Sequence, residues 1–221
     1  MLAGRYDNGA SMRDEQIRDE LATILMSGHE TTATALSWAI YELARHPDVM
    51  AQLREELDEL APDPDLIIRQ RYLGAVCNET LRLHTILTEV ARLTVAPMDL
   101  LGYKLPTGVG VAVAISAIHQ DPEIYPEPDR FLPERFMNRS YTPFEFLPFG
   151  GSHRRCLGAA FSDYEMRLAL AAVIKRWEFE PAGKEREVRH NIGMGPKYGV
   201  RLRIKKRSVV SRGSKEFVYG V

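Results

Sequence analysis

The most informative stretch of this sequence is FGGSHRRCLG, residues 149–158. It is a glycine-rich turn that carries one cysteine, Cys156, into a segment with helical periodicity. Helix N-terminal amides and neighbouring arginines both stabilise a negatively charged sulfur. We therefore expect Cys156 to be available as a ligand for a soft metal or a heme iron, although an arbitrary cysteine is more often a buried, inert residue.

Apolar periodicity predicts four helices around this turn. The first begins at an N-cap, Ser11, and ends before Pro47, which opens the second; the third covers about residues 72–84 and the fourth about 157–177. Short antiparallel strands are expected between Met98 and Ile115, a proline-rich ordered meander over 121–149, and strands and turns over 179–204. The expected fold class is mainly α with small antiparallel β-sheets, α+β.

Composition excludes several classes of protein. The 221 residues carry 29 Lys+Arg against 30 Asp+Glu, and 45% are hydrophobic, a balance typical of a folded domain and not of a disordered or fibrous chain. The formal net charge of −1 predicts no nucleic-acid partner. Two cysteines are too few for a disulfide framework, and no run has the length of a transmembrane helix or the pattern of a signal peptide, so the sequence favours a cytoplasmic location.

The cysteine turn resembles the heme-thiolate loop of the cytochrome P450 superfamily, whose pattern is F-x-x-G-x-R-x-C-x-G. Phe149, Arg154, Cys156 and Gly158 match, whereas Ser152 stands where the family has glycine. The resemblance implies heme, with Cys156 as the proximal iron ligand and Arg154 paired with a heme propionate. It also implies that Phe149 packs under the ring, near the sulfur.

Two further family signatures occur in the expected order. Glu79 and Arg82 match E-x-x-R, a pair that shares one helix face. Arg135, in FLPERF at residues 131–136, corresponds to the family's arginine that completes a Glu79–Arg82–Arg135 network. Taken alone, an E-x-x-R pair is more often an ordinary surface salt bridge.

The predicted first helix contains SGHETT at residues 27–32, which resembles the family's oxygen-activation motif. Thr31 can bond a carbonyl one turn back, loosen the helix and hold a water, and with Glu30 it can relay protons to dioxygen. The alternative is a threonine-rich buried face with Glu30 in a salt bridge. A zinc H-E-x-x-H motif is excluded because Ala33 replaces the second histidine.

The segment after the third helix supplies the remaining site candidates. By resemblance, Arg92 is a second propionate ligand. Ile86, Leu87, Thr88 and Val90 are expected to line the pocket for an apolar substrate, although simple core packing explains them almost as well.

The function implied by the resemblance is a heme-dependent monooxygenase. Such an enzyme inserts one oxygen atom of O2 into a hydrophobic small molecule with two electrons that come ultimately from NAD(P)H through a ferredoxin or a flavoprotein. Basic Arg155, Lys175 and Arg176 are candidates for docking an acidic electron donor, although a solvated helix face is the commoner explanation. A peroxide-using relative is less favoured, because such an enzyme needs no acid–alcohol relay.

The motifs cover only the C-terminal half of a family member. We therefore expect residues 1–206 to be the C-terminal half of a single cytochrome P450 domain and residues 207–221 to be a loose C-terminal extension. A truncated, non-catalytic chain with weak or no heme binding is the main alternative, and a membrane anchor in the other half remains open.

Overall fold

The structure is a computed structural model that describes residues 5–190 and 193–207. Its helices, in chain order, are α1 (Asp14–Arg45), α2 (Pro47–Asp58), α3 (Pro64–Ile67), α4 (Arg71–Leu83), α5 (Ile115–His119), α6 (Arg135–Asn138) and α7 (Ala159–Arg176). Its strands are β1 (Val90–Leu93), β2 (Met98–Leu100), β3 (Tyr103–Leu105), β4 (Gly110–Val113), β5 (Trp177–Pro181), β6 (Glu187–His190), β7 (Gly193–Pro196) and β8 (Leu202–Lys206).

The strands form small antiparallel pairs. Over the described residues β1 pairs with β4, β2 with β3, β5 with β8 and β6 with β7. The α+β class expected from the sequence is confirmed. Within the same residues, no helix combines the length and apolar character needed to cross a bilayer.

The core lies where the second half of α1 meets α2, α4 and α7. Leu53 of α2, Leu73 of α4 and Leu170 of α7 are fully buried, together with Trp38 of α1 at 2% exposure. Each such leucine contributes about 1.5–3 kcal/mol by leaving water. This core fixes α1, α4 and α7 relative to one another. Of the predicted site residues, α1 carries Glu30 and Thr31 and α4 carries Glu79 and Arg82, while the cysteine loop leads directly into α7.

The first half of α1 does not share this burial. Before Thr31 the helix is largely exposed, and Leu25 and Met26 are 72% and 78% exposed. The apolar periodicity predicted the helix correctly, but only the second half of its apolar face is buried in this chain.

Several element boundaries differ from the sequence expectation. The N-cap of α1 is Arg13 and not Ser11, because Ser11 forms a β-bridge with Arg5, while the amide of Arg13 donates to the Gln16 side chain at 3.0 Å. The strand expected to reach Ile115 stops at Val113. The Ser116 amide donates to the Thr88 carbonyl instead of continuing the ladder, and α5 begins.

The expected extension 207–221 is wrong at its first residue. Arg207 makes a bidentate ion pair with Asp58, at 2.6 and 2.5 Å, and its amide donates to the Arg176 carbonyl at 2.9 Å. The hydrogen bonds from Arg207 lower the pKa of the Asp58 carboxyl group. Residues 208–221 lie outside the described part of the chain.

Candidate functional site

The cysteine loop is an ordered turn that ends at the start of α7. The Cys156 amide donates to the Phe149 carbonyl at 2.9 Å, which closes the loop at its base. Gly150 and Ser152 have φ values of +66° and +58°, and a 3-10 turn covers Ser152–Arg154. A serine therefore holds a left-handed backbone conformation that costs glycine nothing.

The functional groups of this loop face outward. Cys156 is an exposed free thiol, and Arg154 is exposed, with no side-chain hydrogen bond or ion pair to any described residue. The adjoining apolar side chains of Leu157 and Phe161 are 93% and 69% exposed. A Cβ on Gly158 would lie 3.9 Å from the Cys156 sulfur, an ordinary contact distance.

The second cysteine has the opposite environment. Cys77 is fully buried in α4, and burial raises the pKa of its thiol to about 12. Of the two cysteines, only Cys156 presents its sulfur to a ligand.

The structure brings Glu79, Arg82 and Arg135 together into one network. The Arg82 guanidinium donates to both oxygens of Glu79, at 2.7 and 2.9 Å, and Arg135 Nε donates to Glu79 Oε1 at 3.0 Å. The Leu132 amide donates to the same oxygen at 2.9 Å. Glu79 and Arg82 are fully buried, so this is a desolvated charge network and not a surface salt bridge.

The same network fixes the meander. Arg82 donates to the carbonyl oxygens of His119 and Pro128, at 2.7 and 2.8 Å, and Arg135 donates to that of Pro126 at 3.0 Å. Proline-rich backbone lacks regular partners for its carbonyl groups, and the two guanidinium groups supply them.

Glu30 and Thr31 lie at the point where α1 passes from exposed to buried. Thr31 Oγ1 donates to the Ser27 carbonyl at 2.8 Å, as the sequence predicts, but α1 remains a continuous α-helix there. Glu30 is exposed and makes no ion pair with a described residue, so the alternative of a salt-bridged glutamate is not observed. The next residue, Thr32, lies 3.3 Å from Ser162 of α7, hydroxyl to hydroxyl, which joins α1 to the helix that follows Cys156.

Arg92 lies on β1, a strand that the sequence analysis missed. Its side chain is exposed and bonds only to the neighbouring Ala91 carbonyl, at 2.7 Å. It makes no ion pair with the described residues.

The four candidate pocket residues precede it along the chain and are all half-buried: Ile86, Leu87, Thr88 and Val90. Two of their carbonyls are already bonded, that of Ile86 to the Met194 amide at 2.7 Å and that of Thr88 to the Ser116 amide at 3.1 Å. The segment is therefore held by β7 and α5, and its side chains have both packed and open surface.

One basic residue of the predicted docking set is engaged internally. Lys175 Nζ donates to the carbonyls of Leu57 and Leu60, at 2.9 and 2.8 Å, and so ties α7 to the end of α2. Lys175 is therefore an anchor and not a free docking charge. Arg155 and Arg176 are exposed.

Sequence reasoning missed two histidines, the half-buried His84 and the fully buried His119. His84 stacks on Trp38 at 4.0 Å between ring centroids and lies 2.8 Å from Glu42 and 3.7 Å from Glu187. Burial lowers the pKa of His84, but the contacts and charges of Glu187 and Glu42 outweigh it, and the net pKa is raised.

His119 is fully buried beside the cysteine loop. Burial, followed by the positive charge of Arg82, lowers the pKa of His119 to about 4. Single histidines carry no spacing pattern, so no sequence signal distinguished either residue.

The exposed donor set fits a heme. An accessible thiol matches a heme iron, and the guanidinium groups of Arg154 and Arg92, which form no ion pair with the described residues, match anionic propionates. The exposed Leu157 and Phe161 match an apolar macrocycle.

Comparison with known proteins identifies the family. The cytochrome P450 family model matches residues 1–206. A Mycobacterium tuberculosis protein named "Putative cytochrome P450 135B1" is 38% identical over 97% of this chain and 45% of its own length. A second from the same organism, "Putative cytochrome P450 138", is 40% identical over 94% of this chain and 46% of its own length.

Comparison with solved structures identifies the same family. The structure of retinoic acid-bound cyanobacterial CYP120A1 superposes with a TM-score of 0.86 at 30% identity, covering 93% of this chain and 49% of that one. The chain therefore belongs to the cytochrome P450 family. It spans about half the length of the curated relatives it matches.

Proposed function

We propose that residues 1–206 are the C-terminal half of a single cytochrome P450 domain and that the whole protein is a heme-thiolate monooxygenase. The observation that carries the proposal is the exposed Cys156 thiol, presented by a closed loop together with the exposed Arg154. The matched length of about half of each relative supports the domain assignment.

In this proposal, the loop and β1 hold the heme. Cys156 would hold the iron through its sulfur, Arg154 and Arg92 would pair with the propionates, and Phe149 would pack against the macrocycle. Gly158 leaves the space beside the sulfur free of a side chain. When bound, the heme supplies activation of O2 with two external electrons.

In the same proposal, Glu30 and Thr31 of α1 form the proton relay. The Thr31 hydroxyl already donates to Ser27, so its lone pairs accept a hydrogen bond from water, and turning the hydroxyl away from Ser27 lets it donate. Glu30 is open to solvent and exchanges protons with it. This retained pair favours the O2-dependent reaction over a peroxide-using one.

We further propose a hydrophobic substrate and a protein electron donor. The half-buried Ile86, Leu87, Thr88 and Val90 present apolar surface beside Arg92. The retinoic acid bound to CYP120A1 is itself largely apolar, which supports a ligand of that class.

A ferredoxin or a flavoprotein, reduced ultimately by NAD(P)H, is proposed to dock on the loop side. A cavity of about 330 Å³ lies there, lined by residues that include Phe149 and Arg155. Of the three basic residues expected there, Arg155 is the one on this side, because Lys175 is engaged internally and Arg176 lies at the opposite end of α7.

The test is a reduced, carbon monoxide-bound absorption spectrum of this chain with added heme, beside a longer chain. We expect a thiolate-type Soret band that Cys156→Ser abolishes and that Cys77→Ala, the matched control at the buried cysteine, retains. If neither chain shows this band, or if Cys156→Ser keeps it, the ligand assignment is wrong.

A band in the longer chain alone would favour the second candidate for this chain by itself, a non-catalytic piece with weak heme binding. The exposed Leu25 and Met26 of α1 favour that candidate, because a heme pocket needs its apolar side chains shielded from water.

A further inference from the structure

A buried chain of hydrogen bonds connects α4 to the turn that precedes the cysteine loop, and its central member is His119. We propose that His119 is a positioning residue: as a neutral acceptor, it fixes the turn from which the Cys156 loop departs. The inference rests on the proposed function for its meaning, since it concerns the loop that is to hold the heme.

The contacts of the imidazole ring are fully defined. His119 Nε2 accepts the Leu147 amide hydrogen at 3.0 Å, and His119 Nδ1 lies 2.9 Å from Thr85 Oγ1. Thr85 Oγ1 in turn donates to the Arg82 carbonyl at 3.0 Å. His119 is 0% exposed, so no water replaces a lost partner.

Donor and acceptor roles follow from these partners. A backbone amide only donates, so Nε2 holds a lone pair and the ring proton is on Nδ1. Nδ1–H then donates to Thr85 Oγ1, whose own hydrogen is directed to Arg82. Each link has one donor and one acceptor, and only the neutral Nδ1–H form of His119 satisfies them all.

Two backbone hydrogen bonds link Leu147 to Cys156. The Leu147 carbonyl accepts the Gly150 amide at 3.0 Å, which forms the turn, and the Phe149 carbonyl accepts the Cys156 amide at 2.9 Å. The His119 ring also stacks on Phe146, at 5.5 Å between centroids and 30° between planes. His119 thus fixes both the amide and the preceding side chain at the first residue of the turn.

Three substitutions separate the acceptor role from simple filling of the space. His119→Gln places a carboxamide oxygen near the Nε2 position and keeps an acceptor for Leu147. His119→Asn reaches the Nδ1 position only, so it keeps the Thr85 link and loses the Leu147 link. His119→Leu fills much of the volume and loses both.

The primary readout is amide hydrogen exchange by NMR, on the 221-residue chain without heme, labelled with 15N-leucine and 15N-cysteine. We expect His119→Asn and His119→Leu to lose protection about tenfold at the Leu147 amide, with a parallel loss at the Cys156 amide, whereas His119→Gln retains both. The Cys77 amide in α4 is the internal reference and stays protected.

The second readout is the carbon monoxide spectrum of the longer chain with heme. His119→Asn is expected to reduce the share of the thiolate-type band, and His119→Gln to restore it. If His119→Leu does not fold, the Asn and Gln pair still decides the matter.

Unchanged exchange at Cys156 in His119→Asn would overturn the proposal, as would equal losses in Asn and Gln. Because the exchange experiment contains no heme, its result is separate from the proposed function. Failure of every chain to bind heme, with the exchange pattern as expected, would refute the function and leave the positioning role of His119 intact.

Discussion

Replacing Glu79 by glutamine tests whether the buried charge network supports the fold. Glu79 accepts hydrogen bonds from Arg82, Arg135 and the Leu132 amide, all within 3.0 Å, and it is 0% exposed. The glutamine oxygen keeps the contacts of Oε1, but its NH2 group then faces the Nε–H of Arg82, donor against donor. The change also leaves a buried guanidinium without its counter-ion.

The expected loss of unfolding free energy is about 3–5 kcal/mol, the range for removing one partner of a buried ion pair. A typical domain is stable by about 5–15 kcal/mol, so the variant keeps only part of its stability. Urea unfolding followed by fluorescence measures the loss, because Trp38 is buried in the core.

The matched control is Arg130→Gln. Arg130 and Glu127 form an ion pair at 2.6 Å, but their side chains are 62% and 58% exposed, so removing it is expected to cost less than about 1 kcal/mol. A loss in Glu79→Gln no larger than in this control would refute the reasoning, because burial would then add nothing to the pair.

Three further predictions follow from single contacts. Ser152→Gly relieves a φ of +58° and should stabilise the chain by about 1 kcal/mol in urea unfolding; a destabilised variant would show that the serine side chain has a compensating role. Lys175→Met removes the bonds to the Leu57 and Leu60 carbonyls and should cost about 1–3 kcal/mol, whereas Arg176→Met, at an exposed neighbour, should cost under about 0.5 kcal/mol, and equal costs would contradict the anchoring role. Because the folded-state pKa of His119, about 4, is below its ordinary value of 6.5, the unfolded chain binds more protons between these values; stability should fall by up to about 3 kcal/mol as pH drops from 6.5 to 4, and an unchanged slope in His119→Gln would exclude this histidine as the source.

The sequence predicted the helices well where one face is continuously apolar. The bounds of α4 and α7 differ from expectation by one or two residues, and α2 begins at Pro47 as expected, because proline and the apolar spacing act locally. The N-cap at Ser11 and the strand end at Ile115 were wrong, since both depend on distant partners: Arg5 for the first and Thr88 for the second.

In the candidate site, too, the local features were predicted from the sequence and the long-range contacts were not. Spacing alone placed Cys156 at the start of a helix and Glu79 with Arg82 on one helix face, and these are local consequences of 3.6 residues per turn. Spacing did not show that Lys175 is engaged by the Leu57 and Leu60 carbonyls at the end of α2, because these acceptors are 115 or more residues away in the chain.

By itself, the sequence determined the fold class, the family resemblance and the residues that carry its chemistry, because motifs and periodicity are properties of neighbouring residues. Only the tertiary structure decided which groups are exposed, which charges are desolvated and which proton His119 holds. Burial and hydrogen-bond direction depend on elements far apart in the chain. For the same reason, the support beneath the Cys156 loop became visible only when Thr85, His119 and Leu147 were brought together.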